Sequence, residues 1–272
     1  MSAQLIDEKK PQTESIVEEA IPLPPTDLPY DDGEPLESNR HRIAMNVLID
    51  SVYQAYQERD DYYSGGNMFV YYSSAQVKNN DFRGPDFFVV LDVDGTKERR
   101  SWIVWEEKGR YPDVIVELMS PSTARIDRTE KHKLYEQTFR TSEYFIYDPF
   151  DSSSLQGWRL GTNRKYQELV PNDRGWLWCE SLGLWLGAEE GELVKHNAPW
   201  LRFYSASGNL ILLPEELARM ERERAEKAES ECDLERKRAE QAETALEAQN
   251  QTIAELRARL QQLEADRDRN QD

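Results

Sequence analysis

From Glu215 to Asp272 the chain contains neither glycine nor proline, the two residues that most readily end a helix. Alternating steps of three and four from Ala225 land on Ala225, Ala228, Cys232, Glu235, Ala239, Ala242, Leu246, Gln249, Ile253, Leu256, Leu260 and Leu263. That seam, with one acidic and one amide interruption, predicts a long helix over 214–272. It also predicts a coiled coil, strongest at 246–263, with self-association through 215–265. A single solvated helix is the alternative. Under either reading this stretch supplies no globular core.

The core must therefore come from residues before 214, and the charge distribution shows where. The formal charge of −18 divides into −8 over 1–37, −4 over 38–214 and −6 over 215–272. Six of the seven tryptophans lie between 102 and 185, and the seventh is Trp200. The middle is thus long enough and apolar enough for a real core. Residues 1–30 lack periodicity and carry Pro11, Pro22, Pro24, Pro25 and Pro29. Too little apolar surface is available there to offset ordering entropy, which predicts a disordered acidic arm. Three regions are expected: the arm at 1–30, a domain at 31–213 and the helix at 214–272.

Several classes are excluded. No run of about 18 apolar residues exists, so no transmembrane span is expected. Asp7, Glu8, Lys9 and Lys10 precede no apolar stretch, so no secretory signal is expected. Cys179 and Cys232 are too few for a disulfide framework or a zinc cluster. A reduced, cytoplasmic protein follows as the expectation. The acidic total argues against coating nucleic acid by bulk charge but leaves room for a local basic groove.

Within the middle, Met45, Leu48, Ile49, Val52, Tyr53 and Tyr56 recur at three and four, which predicts a helix over 41–57 capped by Ser38 or Asn39. Strands are expected at Met68–Tyr72, Phe87–Leu91, Trp102–Trp105, Val114–Met119 and Tyr144–Tyr147. Asp127–Phe139 is helix-like. Hairpin strands follow at Leu155–Leu160, Tyr166–Leu169, Trp176–Cys179, Leu184–Leu186, Leu201–Tyr204 and Asn209–Leu212. Helix, sheet, helix and more strands make an α/β or α+β domain.

His41, His132 and His196 share no ligand spacing. The chain has no nucleophile elbow and no phosphate-cradling glycine loop. What remains is carboxylates and lysine at element edges. Asp86 enters the strand Phe87–Leu91. Glu117 stands amid Val114, Ile115, Val116, Leu118 and Met119, where a charge is costly unless paired or metal-bound. Asp113 is four residues earlier on the same strand face. Asp127, Lys131 and Tyr135 step by four along one helix face. Glu37 stands before the first helix. Two carboxylates on neighbouring strands suit Mg²⁺ or Mn²⁺, and a nearby lysine suits charge developing at phosphorus. That chemistry is metal-assisted phosphodiester hydrolysis.

Tyr111–Pro149 carries Pro-Asp-Val-Ile-Val-Glu-Leu-Met-Ser-Pro-Ser-Thr, then Asp127, Lys131 and Tyr135, then Glu143-Tyr-Phe-Ile-Tyr-Asp-Pro149. With Pro35-Leu-Glu-Ser-Asn39, His41 and Gly84-Pro-Asp86, this resembles the Uma-two (Uma2) family over roughly 31–213. That family groups bacterial restriction-endonuclease-like proteins in the PD-(D/E)xK nuclease superfamily. The resemblance implies a restriction-endonuclease-like mixed sheet flanked by helices, extended here by extra β hairpins and the long C-terminal helix. It implies Asp86 and Glu117 as metal ligands and Glu37 as a supporting site residue. The superfamily lysine belongs two residues after Glu117, where this chain has Met119. The family is similar in placing it on the next helix, which implies Lys131. Lys133 points elsewhere around the helix. The loop Phe139–Phe145 also departs from the family's usual Gly-Val-Pro-Glu-Tyr-Trp turn, without touching a proposed ligand.

Each residue has a plainer role beside this one. Asp113 suits a strand-entry cap or a partner of a ligand, Asp127 an N-cap, Tyr135 the core, and Glu37 a helix cap. Ser120-Pro-Ser-Thr123 suits a turn rather than a nucleophile, because no histidine base accompanies it. The tryptophans suit hairpin packing. The expected function is a metal-dependent nuclease acting on DNA. The alternative is a catalytically silent nuclease-fold adaptor oligomerised through its coil.

Overall fold

The computed structural model describes Leu28, residues 38–73 and residues 84–269, with side chains described as far as residue 261. The expected arm at 1–30 (Leu28 apart) and Glu37 lie outside the described residues.

Helix α1 spans Asn39–Ala55, and Ser38 caps it by accepting from the His41 amide at 3.4 Å. The strands are β1 Tyr62–Gly65, β2 Val70–Tyr71, β3 Phe87–Leu91, β4 Trp102–Ile103, β5 Val114–Leu118, β6 Glu143–Asp148, β7 Asp151–Leu160, β8 Tyr166–Glu168, β9 Leu177–Cys179, β10 Leu184–Leu193 and β11 His196–Tyr204. Between β5 and β6 runs one unbroken helix, α2, over 124–139. Its Ala124–Ile126 and His132–Leu134 turns are α-helical, and its Asp127–Lys131 and Tyr135–Phe139 turns are π-helical. It ends at Arg140, whose φ of 56° is left-handed.

The main sheet has the order β1-β3-β5-β6-β7-β8. Only β5 and β6 are parallel neighbours in it, as the helical crossover α2 requires. A second sheet, β11-β10-β9, and a short parallel ribbon of β2 and β4 complete the fold. Alternation along each central strand divides the core. Phe87, Val89, Val114, Val116 and Leu118 face α1 and the second sheet. Phe88, Val90, Ile115 and Met119 face the side that holds Tyr135 and Phe139 of α2. By the same period of two, Glu117 points to the α2 side.

The mixed α/β expectation matches this architecture. Some extents differ, for physical reasons. β1 was not expected, because Tyr62-Tyr-Ser-Gly65 has no apolar alternation; backbone pairing with β3 makes it a strand. β10 and β11 run well past Leu184–Leu186 and Leu201–Tyr204. The extension of β10 carries Glu189, Glu190 and Glu192, that of β11 buries Ala198 and Trp200, and ladder bonds around a turn with positive φ at Val194 and Lys195 join them. The segment expected as a strand at Asn209–Leu212 keeps one bridge, Tyr204 to Leu210.

Helix α3, Pro214–Arg269, is 56 residues long, roughly 80 Å at 1.5 Å per residue. Its first turn is tied to the domain. Glu216 Oε2 accepts from the Leu213 amide at 2.7 Å and from buried Arg202 at 2.7 Å. From Leu217 through Gln261 every described residue is exposed. Among the described residues no helix is long and apolar enough to cross a membrane.

Candidate active site

Asp86 immediately precedes β3. The β3–β5 register pairs Phe87 with Val116 and Phe88 with Ile115, and one further step sets Asp86 opposite Glu117. Asp86 Oδ2 accepts from the Leu118 amide at 2.8 Å, and the Asp86 amide reaches Glu117 Oε2 at 3.5 Å. The backbone below it is packed tightly. A Cβ on Gly66 would stand 2.2 Å from the Asp86 carbonyl oxygen, so only glycine fits there.

Helix α2 completes the cluster. Lys131 Nζ donates to Glu117 Oε2 at 2.9 Å and pairs with Asp127 Oδ1 at 2.9 Å. The Tyr135 hydroxyl donates to Glu117 Oε1 at 2.7 Å. The Tyr144 hydroxyl donates to the Asp127 carbonyl at 2.9 Å. The i→i+5 turns explain the alignment. They widen the helix, so residues four apart fall closer to one line than in an α-helix, and Asp127, Lys131 and Tyr135 all face the sheet.

Glu117 is fully buried and Asp127 nearly so. Two buried carboxylates thus pair with one ammonium, and Asp86 adds its charge from beside Glu117. Burial pushes Glu117 up to about 7; Lys131 opposes this and the Asp86 charge adds to it. Burial likewise raises Asp86 and Asp127. For Lys131, burial pulls down, but Glu117, Asp127 and Asp86 outweigh it and hold the ammonium above its ordinary value. With all three carboxylates ionised, the cluster would carry more negative charge than its own cation balances, and their raised values reflect that repulsion and burial.

Among the described residues no three His, Cys, Asp or Glu side chains form a ready metal cage. Asp86 and Glu117 nevertheless suit Mg²⁺ or Mn²⁺. They supply hard oxygens from adjacent strands, and Mg²⁺ is commonly held by only one or two protein carboxylates, with waters and phosphate oxygens completing its shell. The uncompensated charge is what a divalent cation would neutralise.

Of the residues expected at the site, Asp86, Glu117 and Lys131 converge. Glu37 lies outside the described residues. Lys133 lines a different surface groove, with Glu130 and Gln137. Asp113 is structural, accepting from the Leu91 amide at 2.8 Å and from Arg110 at 3.3 Å. The N-cap reading of Asp127 is corrected: Thr123 stands at the N-cap position and Asp127 lies inside the helix. The helix starts earlier because Ser120 and Thr123 close a turn, each accepting from the other's amide, at 3.2 and 3.0 Å. Tyr135 is in the core as expected, and it also holds Glu117. Its shared face with Lys131 was the sequence signal for that second role. Gly66 gave no signal.

The family model Uma2, described as "Putative restriction endonuclease", matches residues 17–189. A solved structure described as a putative nuclease belonging to DUF820, from Anabaena variabilis, is similar at 15% identity. The match covers 53% of this chain and 79% of that one, with a TM-score of 0.36. No curated protein matches. A match over more than half of the sequence places the chain by its own residues, and it belongs to the Uma2 family of restriction-endonuclease-like proteins.

Proposed function

We propose that the protein is a divalent-metal-dependent nuclease that hydrolyses phosphodiester bonds of DNA in the cytoplasm. The observation that carries this reading is the meeting of Asp86, Glu117 and Lys131 from three elements in one buried cluster with excess negative charge. Mg²⁺ or Mn²⁺ held by Asp86 and Glu117 supplies a Lewis acid that draws electron density from a phosphoryl oxygen.

The chain's own groups do the rest. The Leu118 amide and the Tyr135 hydroxyl fix one oxygen each of Asp86 and Glu117, so both carboxylates are oriented beforehand. Asp127 keeps hold of the Lys131 ammonium when the Glu117 oxygen is committed elsewhere. The ammonium then stabilises negative charge developing at phosphorus. Self-association through 215–265 belongs to the same proposal.

The test is cleavage of supercoiled and single-stranded DNA with Mg²⁺ or Mn²⁺, alongside Mn²⁺ binding measured by electron paramagnetic resonance. Asp86→Ala and Glu117→Ala should lose cleavage and tight Mn²⁺ binding, while Lys131→Ala should lose about 10²–10³-fold in rate and keep Mn²⁺. Equal cleavage by wild type and Glu117→Ala sinks the assignment. A wild type that binds DNA but neither cleaves it nor binds Mn²⁺ favours the adaptor reading instead.

A further inference from the structure

We infer that helix α3 docks on the same helix of a second copy, as a parallel, in-register two-stranded coil. This orientation and register rest on the self-association proposed above and are independent of the nuclease chemistry.

Beyond its first turns, which flank α1 and the β10–β11 turn, the helix has no partner among the described residues. Leu246, Ile253, Leu256 and Leu260 are between 45% and 60% exposed, on one seam. With Ala225 at an a position, Cys232, Ala239, Leu246, Ile253 and Leu260 are also a, and Ala228, Glu235, Ala242, Gln249 and Leu256 are d. The flanking charges then choose the partner and its direction. In a parallel dimer each g residue faces the e residue five positions on in the other chain. Those pairs are Arg224 with Glu229, Glu231 with Arg236, and Arg238 with Glu243. All are of opposite charge, although the sign alternates along the helix. The next two, Ala245 with Asn250 and Thr252 with Arg257, contain no like charges. Within one chain, Glu231 and Arg236 make only exposed pairs with Lys227 and Asp233, which contribute little and are easily exchanged.

An antiparallel dimer over the same length fits worse. Overlapping the two helices end to end sets Arg222 near Arg257 and Arg224 near Arg259, and places Glu235 against Leu246. A shorter antiparallel overlap, centred on the charged half, leaves Leu246, Ile253, Leu256 and Leu260 in water. Only the parallel register pairs the charges and buries that apolar end against itself. Glu235 then meets its own copy at a d position, a local cost that fixes register more than it adds affinity. Because the first turn of α3 is tied to the domain through Arg202 and Glu216, both domains sit at the same end of the coil.

Cys232 gives a direct reading on the full-length protein. It is exposed on the seam, and the other cysteine, Cys179, is buried. Mild oxidation should yield a covalent dimer through Cys232, lost in Cys232→Ser. In the Cys232→Ser background, Ala239→Cys on the seam should restore the link and Ser230→Cys on the outer face should not. The double variant Arg224→Glu, Arg238→Glu should weaken the dimer about tenfold or more by sedimentation. Adding Glu229→Arg and Glu243→Arg to it should recover affinity. A monomeric wild type overturns the dimer. A dimer that never links through Cys232 or Ala239→Cys overturns the parallel register while leaving self-association standing.

Discussion

Lys131 Nζ lies 2.9 Å from Glu117 Oε2, an ion pair between a helix and a central strand in which the carboxylate is fully buried. The ammonium also pairs with Asp127, so a single cation offsets carboxylates that water does not reach. Much of what can be tested about the site follows from this shortage of positive charge.

Lys131→Met should be strongly destabilising at pH 7. Removing one partner of a buried pair leaves an uncompensated charge, at a cost of about 3–5 kcal/mol. Urea unfolding at pH 7 and pH 5 checks this. The loss should shrink at pH 5, because without Lys131 the folded variant must keep Glu117 protonated, which costs less as pH falls.

Metal-free protein should lose stability as pH rises from 4.5 to about 7. Glu117 titrates near 7 when folded and at 4.5 when its environment is open, so between those values the folded state binds more protons than the unfolded one. Its contribution is present below that window and lost through it, on the order of 3 kcal/mol. Asp86 and Asp127 are raised as well and act in the same sense at the acidic end. The raised Lys131 loses its contribution only at alkaline pH. Thermal unfolding in EDTA across this range should show the slope, and Glu117→Gln should flatten it.

Tyr135→Phe should push the Glu117 titration further up and destabilise by about 1–3 kcal/mol, because Oε1 loses its buried donor. Carbon-detected carboxyl NMR in wild type and variant measures the midpoint; an unchanged value would mean the hydroxyl does not hold this oxygen.

Gly66→Ala should disturb the site from a distance. The new methyl meets the Asp86 carbonyl, which belongs to backbone and cannot swing aside. Stability should fall by about 1–3 kcal/mol, and Mn²⁺ affinity should fall with it. A variant of wild-type affinity would show that the Asp86 backbone tolerates displacement.

Glu143→Ala should separate structure from chemistry. Glu143 is buried and accepts from the Glu180 and Ser181 amides at 2.6 and 2.9 Å and from Arg159 at 3.1 Å. It pins the second sheet to β6, away from the Glu117 cluster. The variant should unfold about 3–5 kcal/mol earlier, yet bind Mn²⁺ normally at temperatures where it remains folded.

Local pattern made much of the molecule legible. The heptad seam and the absence of glycine and proline determined helix α3. Apolar runs located the central strands, and the isolated charge in Val114–Met119 marked Glu117 as a residue needing a partner. Spacing by four put Asp127, Lys131 and Tyr135 on one face. These signals are readable because they depend on periods of two, four and seven residues within a single element.

The partners of those residues depended on the tertiary fold. Chemistry and the family resemblance suggested that Asp86 and Glu117 share a site on neighbouring strands, but only the antiparallel β3–β5 register set Asp86 opposite Glu117. Nor could it show that Asp127 lies inside a helix whose start an earlier Ser120–Thr123 turn had fixed. The requirement for glycine at residue 66 arises from a backbone twenty residues away in sequence. In each case the deciding quantity is the distance between segments, which chain topology sets. The sequence by itself determined which residues need partners, because burying an unpaired charge is costly in any fold; the tertiary structure decided which partners they find.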